Sequence, residues 1–206
     1  MLQYLGERTL SERYFKYDVR KYFEQYTSFE NKSVLDFGCN HGNFVRYQSH
    51  HDYTGIDINK NIIENNKAQY SGCKWIHYDG YNHMYNPSGS EELTLYRDYD
   101  VCVSFSVITH MTITETIEIV QKLREHCKEL YVTFYSNTNK QALEQICQYR
   151  KLNVPDISGN QTYLKTDDYL WSFYDDKYIS EILEGEVVDT HFDRRTLMGM
   201  QKCLIL

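Results

Sequence analysis

Residues 34–42, VLDFGCNHG, have the composition of a strand that ends in a ligand-binding turn. The apolar start predicts a buried strand, and Asp36 lies near its exit, two residues before the first glycine. Glycines let the backbone of such a turn, and a helix predicted near 42–49, bring N–H groups close to a bound molecule. A second short strand ends in Asp57, nineteen residues after Gly38, where an acid can accept hydrogen bonds from a ribose. Together they predict a cofactor that contains a nucleoside.

The composition is typical of a single soluble domain. The chain has 206 residues with 41% hydrophobic and 25% charged content, and no apolar run approaches the roughly 18 residues that span a bilayer. Its first residues lack the layout of a signal peptide, and its six cysteines form no CxxC pair. We therefore expect a cytoplasmic protein with reduced cysteines and no zinc.

The net charge of −7 argues against a broad nucleic-acid surface, because such surfaces are built from Lys and Arg contacts to phosphate. Two small basic groups remain as candidates for a local patch, namely Lys16/Arg20/Lys21 and Arg194-Arg195. The twenty tyrosines could line a substrate channel, but only two alanines and two prolines accompany them. That bias is typical of an AT-rich coding sequence, which explains most of the tyrosine excess.

Hydrophobic periodicity divides the chain into alternating strands and helices. The predicted strands are 33–37, 53–57, 74–78, 100–105, 130–135, 186–191 and 201–206. The predicted helices, besides the one near 42–49, are 11–29, 60–70 with Asn59 as its cap, 113–127 with Thr112 or Thr114 as its cap, 139–151 and 175–184. Residues 82–97 are predicted to be a loop, with room for a short helix, and 153–172 an irregular insertion or lid.

Strands that alternate with helices predict a parallel, doubly wound sheet. The last two strands are joined by about ten residues, too few for a crossover helix, so they should pair antiparallel. The expected fold is therefore α/β: a Rossmann-like, seven-stranded, mostly parallel sheet in three α/β/α layers, with a C-terminal antiparallel hairpin. One domain should cover 1–206, with a helical cap over 1–29.

This layout resembles the class I S-adenosylmethionine-dependent methyltransferases over about residues 30–136, with the closing hairpin in support. The first motif of that family is an apolar run, an acid and alternating glycines, and 34–42 match it except that Asn40 replaces the middle glycine. Asn tolerates left-handed backbone, so the change is mild. A nicotinamide dehydrogenase would prefer G-x-G-x-x-G, which is missing after Gly38.

The resemblance implies a set of contacts to S-adenosylmethionine, with S-adenosylhomocysteine as the product. Asp36 and the backbone of Gly38, Asn40 and Gly42 would lie against the methionine part. Asp57 would bind both ribose hydroxyls, with Ile58 on the adenine. Asp79, beside Gly80, would accept from the adenine amino group. The strand-four exit, formed by Ser104, Phe105 and Ser106, would line the methionine and the methyl group.

His110 follows the fourth strand by a few residues, which directs its loop toward the methyl end of the cofactor. Many small-molecule methyltransferases have a histidine here, so His110 is a candidate general base; capping the next helix, packing on the cofactor or orienting the substrate are the alternatives. Tyr14, Tyr17 and Trp171 could form walls of an acceptor site, with core packing as the other interpretation of each.

Missing motifs narrow the methyl acceptor. The chain lacks the Asp/Asn-Pro-Pro-aromatic and Pro-Cys motifs of DNA methyltransferases, the double-glutamate loop of protein arginine methyltransferases and the metal set of catechol-type enzymes. We therefore expect an enzyme that methylates an O, N or C atom of a small molecule, without a metal or membrane partner. The alternatives are a non-catalytic SAM-binding regulatory or partner-activating subunit, or an RNA or protein methyltransferase. The oligomeric state is open.

Overall fold

The computed structural model describes residues 18–138, 140–155, 159–167, 169–189 and 201–206. Within these ranges nine strands belong to one sheet. The strands are β1 Val34–Phe37, β2 Tyr53–Asp57, β3 Lys74–His77, β4 Tyr99–Ser104, β5 Cys127–Ser136, β6 Gln161–Lys165, β7 Leu170–Tyr174, β8 Glu186–Val188 and β9 Gln201–Ile205. The helices are α1 Val19–Phe23, α2 Lys60–Gln69, α3 Ile113–Arg124, α4 Lys140–Arg150 and α5 Asp176–Leu183.

Five parallel strands in the order β3-β2-β1-β4-β5 form the centre of the sheet. β9 runs antiparallel along the free edge of β5, and β8 pairs antiparallel with β9. The mostly parallel Rossmann-like sheet and its closing antiparallel pair are therefore confirmed. The predicted count of seven strands is wrong, because β6 and β7 add a hairpin.

The β6–β7 hairpin lies within the segment that was predicted to be irregular, residues 153–172 and just beyond. Of the two hairpin strands, only β6 alternates between buried and more exposed residues, with Thr162 and Leu164 buried. All five residues of β7 are buried, so the second strand shows no period of two in the sequence. Whether the hairpin also acts as a lid stays a prediction.

The hairpin occupies the edge of β5 that β4 leaves free. β4 pairs with β5 only as far as Ser104 and Val132. Tyr135 pairs with β9 on one edge and with Phe173 of β7 on the other. Because β9 lies opposite β4, β7 must continue on the β4 side, beyond the point where β4 ends. It therefore stands beside the carboxyl edge of the central strands, where open α/β sheets bind ligands.

Side chains alternate between two buried faces, which gives the predicted layers of helices. Leu35, Cys102 and Val132 pack in one apolar cluster with residues of α3 and α5. Their strand neighbours Val34, Val103 and Tyr131 pack in a second cluster with residues of α1 and α2. Each central strand is thus covered on both sides.

The predicted helix near 42–49 is wrong. Gly42 has φ +70°, and Gly42 and Val45 donate to carbonyls three residues earlier, so the chain turns instead of forming a helix. The ring of Phe44 fixes this turn by packing on Phe29 and Tyr53. The loop at 82–97 is confirmed and contains no helix.

The predicted helix at 11–29 lies partly outside the described residues. Within them, only Val19–Phe23 is helical, and the backbone then turns through Tyr26 and Thr27. The described helices are all too short or too polar to cross a bilayer.

Thr112 should stabilise the start of α3. Its hydroxyl accepts from the Glu115 N–H, and the Glu115 carboxylate accepts from the Thr112 N–H, which together form a capping box. We expect Thr112→Ala to lower the free energy of unfolding by about 1 kcal/mol, measured by urea denaturation. Thr114→Ala is the matched control, because Thr114 is exposed and makes no cap. A larger loss in the control would contradict the assignment.

Candidate active site

Asp57 ties the end of β2 to the glycine turn. One carboxylate oxygen, Oδ2, accepts from the Asn40 N–H at 2.9 Å, and Oδ1 accepts from the Asn59 N–H at 2.8 Å. Burial raises the pKa of this carboxyl, while the two backbone donors act in the opposite direction. Each oxygen keeps a second lone pair, so the group can accept two further hydrogen bonds from a ligand.

Asn40 adopts the left-handed conformation that the family's middle glycine would supply, with φ +46°. Its carbonyl accepts from the side chain of Asn66 at 2.6 Å, and its own side chain accepts from the His41 N–H at 2.8 Å. The expected left-handed backbone at Asn40 is confirmed, and polar contacts fix it on both sides. That cofactor binding tolerates Asn at this position stays a prediction.

All five backbone N–H groups from Gly38 to Gly42 donate within the chain. Those of Gly38 and Cys39 donate to the Ile56 carbonyl, that of Gly42 to the Cys39 carbonyl, and the other two to Asp57 and to the Asn40 side chain. The helix N-terminus expected after this turn is therefore absent, whereas the expected contact of the turn's backbone with a ligand stays a prediction. Dinucleotide sites use free N–H donors to hold a pyrophosphate.

The two glycines of the turn are required by their surroundings. Gly38 has φ +78°, and a Cβ there would lie 2.1 Å from Val107 Cγ2. A Cβ on Gly42 would lie 2.9 Å from the Tyr70 ring. The turn therefore packs closely against Val107, after the end of β4, and against Tyr70, the residue that follows α2.

Asp36 is buried beside the turn, with 3% of its surface exposed. It accepts from the Tyr53 hydroxyl at 2.7 Å. Burial raises its pKa to about 7, the Tyr53 hydrogen bond opposes that rise, and the charge of Asp57 adds to it. Asp36 is therefore a carboxyl group whose ionisation can respond to a nearby positive charge.

Asp79 follows β3 at the same edge of the sheet. Its Oδ1 accepts from the Asn86 side chain at 2.9 Å, and the same amide group donates to the Gly80 carbonyl. The Asp79 carbonyl accepts from Ser90 and Glu91 N–H groups, which closes the loop. The other carboxylate oxygen, Oδ2, has no partner among the described residues. Ile58 lies just after β2, partly buried.

The exit of β4 combines strain with a buried polar network. Ser106 has φ +59°, and its N–H donates to Thr133 Oγ1 at 2.7 Å. Gln201 of β9 accepts from Thr133 and donates to the Ser106 hydroxyl. The buried Ser104 hydroxyl has no partner within the described chain. Phe105 packs its ring against α1, 5.0 Å from the ring of Tyr22.

His110 ends a short 3₁₀ turn, Ile108–His110, after this exit. Its Nδ1 lies 2.7 Å from the Leu170 carbonyl of β7 and 3.2 Å from the Tyr85 hydroxyl. Burial lowers the pKa of the imidazole, and the Leu170 hydrogen bond opposes that shift. His110 is therefore held neutral near pH 7.

The predicted acceptor walls are only partly testable. Tyr14 and Tyr17 lie outside the described residues. Trp171 is 7% exposed and packs with α4 residues in a third apolar cluster, which favours the core-packing interpretation. It stacks on Tyr169, whose ring lies 6.5 Å from that of Tyr85.

Several site residues were not found from the sequence, namely Tyr53, Asn66, Asn82, Tyr85, Asn86, Thr133 and Gln201. Asn66 carries a usable signal: it lies three residues after the buried Ile63, on the face of α2 where the pattern calls for an apolar residue. Thr133 similarly interrupts an apolar strand. The asparagines of the 79–91 loop have no periodic signal.

The described residues fit S-adenosylmethionine. Carboxylates stand at the ends of β1, β2 and β3, and an unpartnered buried hydroxyl marks the exit of β4. Acids without free N–H donors suit a cationic ligand that has no phosphate better than a dinucleotide. Within the described ranges no three His, Cys, Asp or Glu residues are grouped to bind a metal.

Comparison with known proteins agrees with this chemistry. A family model described as "Methyltransferase domain" matches residues 35–129, from the glycine turn to β5. No curated protein sequence matches the chain.

Solved structures share the fold at low identity. Magnesium protoporphyrin IX methyltransferase from Synechocystis PCC 6803 with bound SAH has a TM-score of 0.58 at 13% identity, covering 95% of this chain and 82% of its own. The glycopeptide N-methyltransferase MtfA complexed with SAH has 0.60 at 10%, covering 91% and 87%. An S-adenosylmethionine-dependent methyltransferase from Clostridium acetobutylicum ATCC 824 has 0.55 at 12%, covering 94% and 90%.

The domain match spans the glycine turn, Asp57, Asp79 and His110, and the shared fold extends over nearly the whole chain. Residues 35–129 thus match a methyltransferase domain, and the chain shares the fold of the S-adenosylmethionine-dependent methyltransferases among these solved structures.

Proposed function

We propose that the protein transfers the methyl group of S-adenosylmethionine to a small molecule, with His110 as the group that accepts a proton from the acceptor. The assignment of the cofactor site rests on the hydrogen bonds made by the N–H groups of the glycine turn. Its five N–H groups are satisfied internally, and Asp36 and Asp57 stand behind it. Such a surface repels phosphate and attracts a sulfonium or an ammonium group.

The roles of the acids follow from their free lone pairs. Asp57 is already oriented by two backbone donors, so its remaining lone pairs suit the two ribose hydroxyls. Asp79 uses one oxygen for Asn86, which leaves the other for the adenine amino group. Gly80 would lie beside the adenine, and Ile58 would pack on its ring. Asp36 would face the positively charged methionine end.

The cofactor, when bound, supplies a methyl group on a sulfonium, so the protein mainly orients the acceptor and removes its proton. A neutral histidine is the form that can take a proton. Since a carbonyl oxygen only accepts, the bond to Leu170 requires hydrogen on Nδ1, which leaves the lone pair on Nε2. No described residue bonds to Nε2, so it is the atom assigned to the acceptor.

A small acceptor is favoured over nucleic acid by the charge of the chain and by Arg20. Arg20, one of the few candidates for a basic patch, is buried, pairs with Glu24 at 2.9 Å and lies over the Phe29 ring. The other candidate pair, Arg194-Arg195, lies outside the described residues. Two of the structural relatives are named as methyltransferases of a porphyrin and of a glycopeptide.

Asp57→Ala should abolish binding of S-adenosylhomocysteine, measured by isothermal titration calorimetry. The variant loses the ribose acceptors and also frees the Asn40 N–H, so we expect an affinity loss of at least about 100-fold. Asp52→Ala is the matched control, because Asp52 lies before the opposite end of β2 and pairs with Arg97. Unchanged affinity in Asp57→Ala would refute its role.

The affinity for S-adenosylmethionine should rise as the pH increases from 6 to 8. Asp36 has a pKa of about 7, so it is largely protonated at pH 6 and becomes an anion above pH 7. A cationic ligand binds the anion better and therefore favours loss of this proton. Asp36→Asn keeps an acceptor for Tyr53 but cannot ionise. Its affinity should lack this pH dependence, and an equal dependence in the variant would contradict the assignment.

The acceptor class can be tested with methyl-labelled S-adenosylmethionine and a cell extract. We expect the label in the small-molecule fraction. Label in tRNA or protein would overturn the choice of substrate. With the acceptor in hand, His110→Gln should lower kcat by about 10²- to 10⁴-fold if His110 is the base. A kcat within twofold of the original protein would remove that role.

A further inference from the structure

The imidazole of His110 is held from two sides by two different parts of the chain. The Leu170 carbonyl of β7 lies 2.7 Å from Nδ1, and the Tyr85 hydroxyl lies 3.2 Å from the same atom. The Tyr85 ring also meets the imidazole edge to face, at 5.5 Å between centroids and 81° between planes. The orientation of the ring is therefore fixed jointly by the hairpin and by the loop that carries Tyr85.

The two contacts are not equivalent. Leu170 can only accept, so Nδ1 carries the hydrogen, and the Tyr85 oxygen accepts a share of it. Both acceptors favour the tautomer with a free lone pair on Nε2. They also favour the imidazolium that forms when Nε2 takes a proton, because hydrogen bonds to a charged donor are stronger.

Tyr85 is itself fixed by the 79–91 loop. The Asn82 side-chain oxygen accepts from the N–H groups of Met84 and Tyr85, at 3.1 and 2.8 Å. The backbones of Asn82 and Asn86 exchange two hydrogen bonds, and the Asn86 side chain reaches Asp79. One closed loop therefore carries both the acid assigned to the adenine and the tyrosine that contacts His110.

We propose that Tyr85 is a positioning residue for the base, which holds the His110 imidazole so that Nε2 faces the methyl acceptor. The inference rests on the proposed function, in which His110 receives the proton. Tyr85 acts through His110, and its exposed fraction of 40% leaves part of its ring at the surface of the site. Adenine recognition and placement of the base are then linked through one loop.

Two neutral groups of the described residues form hydrogen bonds with the imidazole of His110. They are the Tyr85 hydroxyl from the loop and the Leu170 carbonyl from β7. Within the described ranges no charged side chain contributes to the pKa of His110; burial lowers this pKa and the Leu170 hydrogen bond raises it. Loss of the Tyr85 hydroxyl should therefore be visible in the titration of His110.

The test is the NMR titration of the His110 ring nitrogens in ¹⁵N-labelled protein, with His110→Gln to assign the signals. In the original protein we expect hydrogen on Nδ1 and a pKa below that of a free histidine. Tyr85→Phe keeps the ring but removes one acceptor for the imidazolium, so the pKa of His110 should move further down. Tyr81→Phe is the matched control, because Tyr81 lies on the same loop, is 55% exposed and has no hydrogen bond or ring contact with the residues that the structure describes. It should leave the titration unchanged.

Two results would overturn the proposal: hydrogen on Nε2 in the original protein, or the same titration in Tyr85→Phe as in the original. Thermal melting of both tyrosine variants checks that each is folded. Binding of S-adenosylhomocysteine, measured in the same samples, distinguishes failure of the proposed function from failure of the role of Tyr85. Absence of binding in the original protein contradicts the proposed function, whereas normal binding with an unaltered His110 titration contradicts only the role of Tyr85.

Discussion

The hydrogen bond from the Asn40 N–H to the Asp57 carboxylate determines the shape of the glycine turn, where we place the cofactor. It joins the turn after β1 to the end of β2, two neighbouring strands in the sheet. The N–H can point toward β2 because Asn40 lies in the left-handed region, and the Asn66 amide fixes the other side of the same peptide segment. A change in any one of these three groups leaves a polar partner unsatisfied.

These hydrogen bonds also determine which donors the turn can offer to a ligand. A turn whose N–H groups are all satisfied has no donors for a phosphate, and Asp36 behind it gains a negative charge as the pH rises through about 7. The same parallel sheet can therefore serve a dinucleotide or a cationic cofactor. In this chain the first turn bonds to the end of the second strand and does not lead into a helix. Gly42 and the buried ring of Phe44 favour this arrangement.

The sequence predicted most of the sheet, because its strands are short apolar runs between clear turns. It also predicted Asn59 as a cap and named Thr112 as one of two candidates for another, since a capping residue acts on its own helix and leaves a local pattern. The hairpin at 161–174 was missed because every residue of β7 is buried by tertiary contacts. The helix after Gly42 was wrongly predicted from the behaviour of glycine turns in general. Asn86, Thr133 and Gln201 act through contacts distant in sequence, which no local pattern records.

The end of β4 explains why His110 and the β6–β7 hairpin lie next to each other. Ser104 is the last residue to pair with β5, and the chain then leaves the sheet through Ser106 in a left-handed conformation. For a serine this conformation costs about 1 kcal/mol or more, and the buried Thr133 and Gln201 offset it by bonding the N–H and hydroxyl of Ser106. Because the chain leaves so early, the edge of β5 is free for β7, whose Ser172 and Tyr174 bond the Met111 carbonyl, next to His110. The strained exit thus leaves space for the hairpin. The hairpin in turn supplies the Leu170 carbonyl, which sets the tautomer of His110.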